Sequence, residues 1–229
     1  GRTWSKPTTI ATDTSVPEVH PNAPADPTKA LRAGANLISA AIDPTTGELY
    51  AAYEGSEFTG GQYDGIELVH STDGGHTWSG PSRINQAPNA PAFTPSLAVD
   101  GSGTVSLTYY DLRYLTPGNT TTLPTAAWLV SFPRGGEEFP AERRISSVFD
   151  WLQAPFAGWG HFLGDYEGLI TERGSVRPIL VEANDNQPLD STDAYSGLLR
   201  PTTAVTTRVP AATPHTVAPH LTAPHPRRR

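Results

Sequence analysis

An acid, a phenol and a second acid stand together at Asp165, Tyr166 and Glu167, between Gly164 and Gly168. Carboxyl and phenol groups are among the side chains that transfer protons in general acid–base catalysis. Because neighbouring residues of a strand point to opposite faces, Asp165 and Glu167 would share one face and Tyr166 would point away. We interpret the group either as an acid pair that lines a site or as a turn in which Asp165 caps local amides.

Arg113 is the best candidate for holding an anionic ligand. It follows an apolar strand in the string Tyr110-Asp111-Leu112-Arg113, and a guanidinium can bind a carboxylate through two parallel hydrogen bonds. The alternative is an ion pair between Arg113 and Asp111 or another acid. The chain has no cysteine, and it contains no phosphate loop, dinucleotide fingerprint or metal-ligand spacing. We therefore expect no metal and no cofactor.

These candidates belong to strand-like runs that alternate with turns, and no helical period persists. Three strand pairs are each joined by a turn glycine, and they lie at 37–43 and 48–53 around Gly47, 95–100 and 104–111 around Gly103, and 167–171 and 175–182 around Gly174. A further strand-like run follows each of the first two pairs, at 66–71 and 126–131. The turn glycines are 56 and 71 residues apart, which indicates strand units separated by loops of variable length. The pattern predicts an all-β protein built from repeated sheets.

Composition agrees with short strands and many turns, since the chain has 21 Gly and 23 Pro and only 37% apolar residues. Residues 1–200 carry 12 basic against 23 acidic side chains, a balance that repels phosphate backbones and argues against nucleic acid as a partner. No apolar run reaches the length of about 18 residues that a membrane helix needs. Residues 201–229 hold six Pro and no acid, so we expect a domain at 1–200 and a disordered tail at 201–229.

The most specific string of the chain is Ser71-Thr72-Asp73-Gly74-Gly75-His76-Thr77-Trp78. Its two glycines can adopt positive φ in a hairpin turn, and Asp73 can accept hydrogen bonds from turn amides. The hydroxyls of Ser71 and Thr77 can tie the two arms together, with the ring of Trp78 packed beneath. We therefore expect Ser71, Asp73, Gly75, Thr77 and Trp78 to serve structure and not catalysis.

This string resembles the Asp-box, the S-x-D-x-G-x-T-W repeat of sialidase-like β-propellers, in which it joins the third and fourth strands of a blade. Residues 1–5 and 131–139 resemble partial copies, and residues 110–113 and 162–169 are similar to strings of secreted bacterial sialidase-like proteins. The resemblance implies a six-bladed propeller of which residues 1–200 form about three to four blades. It also implies a fragment of a longer, secreted or cell-surface protein.

The family resemblance also implies chemistry. Sialidases hold the substrate carboxylate with arginines, attack with a tyrosine that a glutamate activates, and use an aspartate as acid and base. The string Tyr195-Ser196-Gly197-Leu198 is similar to the one around that tyrosine, so Tyr195 is the candidate nucleophile and Glu182 its candidate base, although a tyrosine at a blade edge explains the string equally well. The remaining candidates are Asp165 and Glu167 for catalysis and Arg113, Asp111 and Tyr166 for substrate binding.

The implied function is hydrolysis of terminal sialic acids or related glycosides, with a sialoglycan as the carbohydrate partner. The rival hypothesis is a propeller that binds glycan or protein without catalysis, because a fold does not determine a function. A third hypothesis is an incomplete propeller that is inactive as a fragment. The aromatic segment at 149–162 fits the packing of a core or a platform for a sugar ring.

Overall fold

A computed structural model describes residues 2–34, 37–135, 139, 141–184 and 191–200. This part of the chain is all-β, as predicted, with only three short 3₁₀ helices, at Pro27–Lys29, Glu57–Thr59 and Trp151–Gln153. Its strands are β1 (Leu31–Arg32), β2 (Ser39–Ile42), β3 (Leu49–Gly55), β4 (Gly65–Ser71), β5 (Ser82–Arg83), β6 (Ala92–Val99), β7 (Thr104–Asp111), β8 (Pro124–Pro133), β9 (Arg143–Arg144), β10 (Phe149–Asp150), β11 (Phe156–Ala157), β12 (Gly160–Phe162), β13 (Gly168–Glu172), β14 (Ser175–Ala183) and β15 (Thr192–Ser196). None of the helices within these ranges is long and apolar enough to cross a membrane. The tail predicted at 201–229 lies outside the described residues.

Three antiparallel sheets follow one another along the chain. The first contains β2, β3, β4 and β5 in that order, and the third contains β13, β14 and β15. In the second, β6, β7 and β8 pair in chain order, and both β9 and β10 pair with β8. Gly47, Gly103 and Gly174 have φ of 77°, 84° and 74° in the turns between the first two strands of each sheet. The three glycine-hinged strand pairs predicted from the sequence are therefore confirmed.

A small fourth sheet connects distant parts of the chain. Strand β1 pairs in parallel with β12, which pairs antiparallel with β11. The backbones meet closely at Gly160, where an added Cβ would lie 2.8 Å from both the carbonyl carbon of Leu31 and the amide nitrogen of Arg32. This contact fastens the N-terminal part of the chain to the segment that precedes the third sheet.

The second sheet is buried on both faces because side chains alternate along its central strands. Val105, Leu107 and Tyr109 of β7 belong to a core shared with the first sheet. Tyr110 of the same strand belongs to a second core, which includes Leu180 of the third sheet. The second sheet therefore lies between the other two.

Aromatic rings dominate the second core. Tyr110 makes edge contacts with Phe149 and Trp151, at centroid distances of 6.0 and 5.7 Å. These two rings of the 149–162 segment thus serve packing, whereas Phe156 and Trp159 are about half exposed. The side of the third sheet that faces away from this core also exposes Ile170 and Ile179.

Candidate functional site

Most of the acidic candidates lie at one end of the strands, which is the same end in all three sheets. In each sheet the second strand ends there, with Glu54 at the end of β3, Asp111 at the end of β7 and Glu182 at the end of β14. The glycine turns precede these second strands and therefore lie at the opposite end of the strands. All three acids are buried, and each has a different set of partners.

The Ser71–Trp78 string forms the connection between β4 and β5, the third and fourth strands of the first sheet. It lies at the end of the strands opposite the acids. Asp73 accepts hydrogen bonds from the Thr77 amide at 2.9 Å, the Thr77 hydroxyl at 2.6 Å and the Ser71 hydroxyl at 2.9 Å. These bonds, the strongest of them from Thr77, hold the pKa of Asp73 well below its usual range. The Gly75 amide donates to the Ser71 hydroxyl, and the Trp78 indole donates to the Gly75 carbonyl. The string is thus a closed network of local hydrogen bonds.

The partial copies of this string are only partly within the described residues. Residues 131–133 end β8, and residues 134, 135 and Phe139 follow in the connection to β9, the corresponding position of the second sheet. Phe139 packs against Phe132 at a centroid distance of 4.9 Å. Of the copy at 1–5, Trp4 is 92% exposed.

Arg113 is engaged by acids of its own chain. It donates from Nε to Asp111 Oδ2 at 2.7 Å, and it forms ion pairs of 2.6 Å with both Asp111 and Glu142. Its guanidinium lies 3.4 Å from the centroid of the Trp128 ring, and the Trp128 indole donates to Asp111 at 2.9 Å. Burial raises the pKa of Asp111, and the hydrogen bond from Arg113 offsets part of this increase. This is the ion-pair alternative considered from the sequence, and it leaves the guanidinium surrounded by protein.

The acid–phenol–acid group lies in the loop between β12 and β13, so its side chains do not alternate as in a strand. Asp165 is 3.6 Å from Arg32 in an ion pair, and Tyr166 is 71% exposed. Glu167 accepts a hydrogen bond of 2.9 Å from the Tyr110 hydroxyl, whose oxygen also lies 2.7 Å from the Val181 carbonyl oxygen and accepts a hydrogen bond from the Val181 amide. Burial raises the pKa of Glu167 to about 7. The structure therefore separates the two acids that the sequence grouped on one face.

Glu182 and Tyr195 do come together. Their strands pair so that Leu180 faces Tyr195 and Glu182 faces Asp193, which puts Glu182 and Tyr195 on the same side of the third sheet. Glu182 accepts hydrogen bonds from the amide and hydroxyl of Ser147. Partial desolvation and the nearby carboxylates raise the pKa of Tyr195. The pairing inferred from the family resemblance thus corresponds to spatial neighbours, without a hydrogen bond between them among the described contacts.

Both residues line a cavity of about 560 Å³ between the second and third sheets. Its wall combines acids, amides, hydroxyls and an aromatic ring, contributed by Thr122, Ser147, Phe149, Asp150, Gln153 and Asn184. Asp150 accepts hydrogen bonds from the Leu123 and Leu152 amides at 2.6 and 3.1 Å. Those bonds fix the 3₁₀ helix at Trp151–Gln153 that forms one side of the cavity.

A second group of acids was not found from the sequence. Glu18, Glu54 and Asp64 each place a carboxylate oxygen within 4.8 Å of the other two, and all three side chains are buried. Asp64 accepts hydrogen bonds from the Val16 amide, and Glu54 accepts one of 2.7 Å from the Thr94 amide. The residues are far apart in sequence, so no motif marks them. A sequence feature that could have indicated Glu54 is its position at the end of an apolar strand, a position that Asp111 and Glu182 have in their own strands.

Burial dominates the electrostatics of this group. It raises the pKa of Asp64 to about 7 and, together with the neighbouring Glu18, raises the pKa of Glu54 well above its usual range. Glu18 and Asp64 also line a mainly apolar cavity of about 320 Å³, with Leu31, Tyr63 and Phe93 among its other walls.

Comparisons with known proteins assign no family to this chain. No family model matches the sequence, and no curated protein matches it. Among solved structures, the chain is similar to Zg3597, a family 117 glycoside hydrolase produced by the marine bacterium Zobellia galactanivorans, with 15% identity and a TM-score of 0.34. The match covers 71% of this chain and 56% of that one, so the chain spans little more than half of its length. At this identity and TM-score the likeness assigns neither a fold nor a function to this chain.

Proposed function

We propose that this chain is part of a β-propeller that binds and hydrolyses a glycoside in the cavity between its second and third sheets. The observation that carries the proposal is the meeting of Glu182 and Tyr195 at one wall of that cavity, which Asp150 also lines. Carboxylates, amides and hydroxyls around an aromatic ring are the groups that bind the hydroxyls and apolar face of a sugar. A volume of about 560 Å³ lies within the range of about 300 to 1,000 Å³ that is usual for small-ligand sites.

The arrangement of the sheets supports a propeller. Three antiparallel sheets follow each other in sequence, and β2 and β13, the first strands of the first and third sheets, both lie beside β6, the first strand of the second. Radially arranged blades place their first strands next to one another in this way. The exposed Ile170 and Ile179 on the third sheet are the kind of surface that another blade would cover.

The charges around the cavities favour a neutral glycoside over a sialic acid. The cavities described above are lined by acids and by no Lys or Arg, and a sialic acid carboxylate would meet repulsion there. Arg113, the residue expected to bind that carboxylate, is held by Asp111 and Glu142. We therefore assign Glu182 the role of catalytic carboxylate and Tyr195 that of a sugar contact.

A second candidate function is binding of a glycan without hydrolysis. It is favoured by one observation: the oxygens of Glu182 accept hydrogen bonds from Ser147, and the pKa of Tyr195 is raised, so neither group is activated as a nucleophile. A module of this kind would keep the cavity and its affinity but show no turnover.

The two functions are separated by a panel of fluorogenic neutral glycosides and a sialoside, combined with a glycan-binding array. Hydrolysis by the wild type that falls at least about 100-fold in Glu182→Gln supports the enzyme. The matched control is Glu172→Gln, which changes an exposed glutamate of the same sheet and should have no effect. Glycan binding without turnover supports the second candidate. The assignment of this cavity would be overturned if the wild type neither bound nor hydrolysed any glycan, or if Glu182→Gln and Glu172→Gln were equally active.

A further inference from the structure

We propose that Glu18, Glu54 and Asp64 bind a calcium ion that fastens the N-terminal segment to the first and second sheets. Their nearest carboxylate oxygens lie within 4.8 Å of one another. Two ligands of the same calcium ion, each about 2.4 Å from it, are at most about 4.8 Å apart, and each pair of these oxygens meets that condition. The site is distinct from the glycoside cavity and does not depend on the function proposed for it.

The state of the carboxylate oxygens points to a ligand independently of their proximity. Glu18 is only 8% exposed, and no amide, hydroxyl or basic group of the described residues donates to its carboxylate oxygens, which face the Glu54 carboxyl. Glu54 is 1% exposed, and its Oε2 is likewise without a partner there. Buried carboxylate oxygens are nearly always hydrogen-bonded or paired, because an unpaired buried charge is costly.

The negative charge of these three acids is not balanced by ion pairs with basic side chains of the described residues. Within the described ranges, the Lys and Arg ion pairs involve other acids, and none includes Glu18, Glu54 or Asp64. The other charged groups that face Asp64 are Asp13 and Glu67, which are also acidic. A cation would therefore enter a site with several negative neighbours and, among the residues that the structure describes, no Lys or Arg paired with them.

Calcium fits this donor set better than other ions. All donors are oxygens, which excludes the soft metals that prefer thiolate or imidazole. The ligands come from three separate parts of the chain, and the adjoining cavity of about 320 Å³ has room for the water molecules that complete a coordination number of six to eight. Magnesium requires a smaller, nearly octahedral shell and gives up its water reluctantly.

The position of the site explains what the ion would do. Glu18 lies in a segment without regular structure before β1, Glu54 and Asp64 belong to the first sheet and its connections, and the Thr94 amide that binds Glu54 belongs to β6 of the second sheet. Thr94 has φ of 54°, an uncommon conformation for a residue with a Cβ, and it lies at the register shift of β6, where its amide donates to Glu54. The ion would join these three parts of the chain at one point.

The alternative is a proton shared by Glu18 and Glu54, and the two cases respond oppositely to metal. The experiment uses the full chain after treatment with EDTA, and it measures calcium binding by calorimetry and thermal unfolding at pH 7.5 with and without 2 mM calcium, a concentration of about the order that fills weak extracellular sites. We expect calcium to bind and to raise Tm, magnesium to raise it less, and Glu54→Gln to lose at least about 100-fold in calcium affinity.

Controls distinguish loss of the site from loss of the fold. In EDTA, Glu54→Gln should unfold at the same temperature as the wild type or higher, because it removes a buried charge, and calcium should no longer change that temperature. Glu18→Gln, which lies outside the sheets, serves as the second variant, and Glu172→Gln should behave as the wild type. A wild-type Tm that does not respond to calcium, together with no calcium binding in calorimetry, would overturn the proposal, and a rise of Tm on acidification that is reduced in Glu54→Gln would identify the shared proton in its place. Calcium binding that survives both Glu54→Gln and Glu18→Gln would overturn it as well.

Discussion

Ionisation of Glu167 should destabilise the protein as the pH rises. Its carboxyl is enclosed between the second and third sheets, beside the Tyr110 hydroxyl, and burial raises its pKa from 4.5 to about 7. A carboxyl with a raised pKa stabilises the fold fully below its unfolded-state pKa, and that contribution is lost as the pH rises through the folded-state pKa. The window for this residue therefore runs from about pH 4.5 to pH 7.

The magnitude follows from the difference between the two pKa values. A difference of about 2.5, at 1.36 kcal/mol for each pH unit, corresponds to about 3 kcal/mol of unfolding free energy. Glu167→Gln can still accept the hydrogen bond from Tyr110 but cannot ionise. The wild type should therefore lose about 3 kcal/mol relative to this variant between pH 4.5 and pH 7.5.

Urea denaturation at intervals of half a pH unit measures this difference. Asp64 and Glu54 titrate in both proteins, so their contributions cancel when the two curves are subtracted. Tyr110→Phe is the useful companion, because it removes a hydrogen bond that lowers the pKa of Glu167 and should move the window to higher pH. A difference curve that is flat across the window would show that Glu167 is ionised and hydrated in the folded protein, and it would refute the reasoning.

Two further predictions concern stability. Arg113→Ala should lower the free energy of unfolding by about 3 kcal/mol, because it leaves two buried carboxylates without their cation, whereas Arg177→Ala removes an exposed pair and should cost less than about 1 kcal/mol in the same urea titration. Equal effects of these two changes would mean that Arg113 is not held as described. Gly160→Ala should cost about 2 kcal/mol or more in thermal unfolding, since its Cβ would press on the backbone of β1, while Gly80→Ala, where nothing lies within 4 Å, should be nearly neutral.

Local sequence signals predicted the sheets well. Gly47, Gly103 and Gly174 mark turns that need positive φ, and the apolar runs around them became the first two strands of each sheet. These features depend on neighbouring residues, which is why a pattern reveals them. The short strands β1, β5, β9, β10, β11 and β12 were not predicted, because two or three residues carry no period and pair only when the rest of the sheet is present. The five-residue strand β15 was not predicted either.

The chemistry of the side chains depended on distant residues and was less predictable. The sequence placed Asp165 and Glu167 on one face, but the loop before β13 sends them to Arg32 and Tyr110. Glu18 comes near Glu54 only because an irregular segment folds back over the first sheet. Sequence reasoning that relies on spacing has no access to such contacts.

The acids that end the second strands show how far the repeat determines function. Glu54, Asp111 and Glu182 occupy the same place in successive sheets. Yet Glu54 has no cationic partner within the described part of the chain, Asp111 is bound by Arg113, and Glu182 is held by Ser147. The repeated strand pair places a carboxylate at the end of its second strand. The groups that neighbouring segments place beside that carboxylate then determine its charge state and its reactivity. A site for an ion, a structural ion pair and a candidate catalytic group therefore arise from one structural position, and only the neighbouring residues distinguish them.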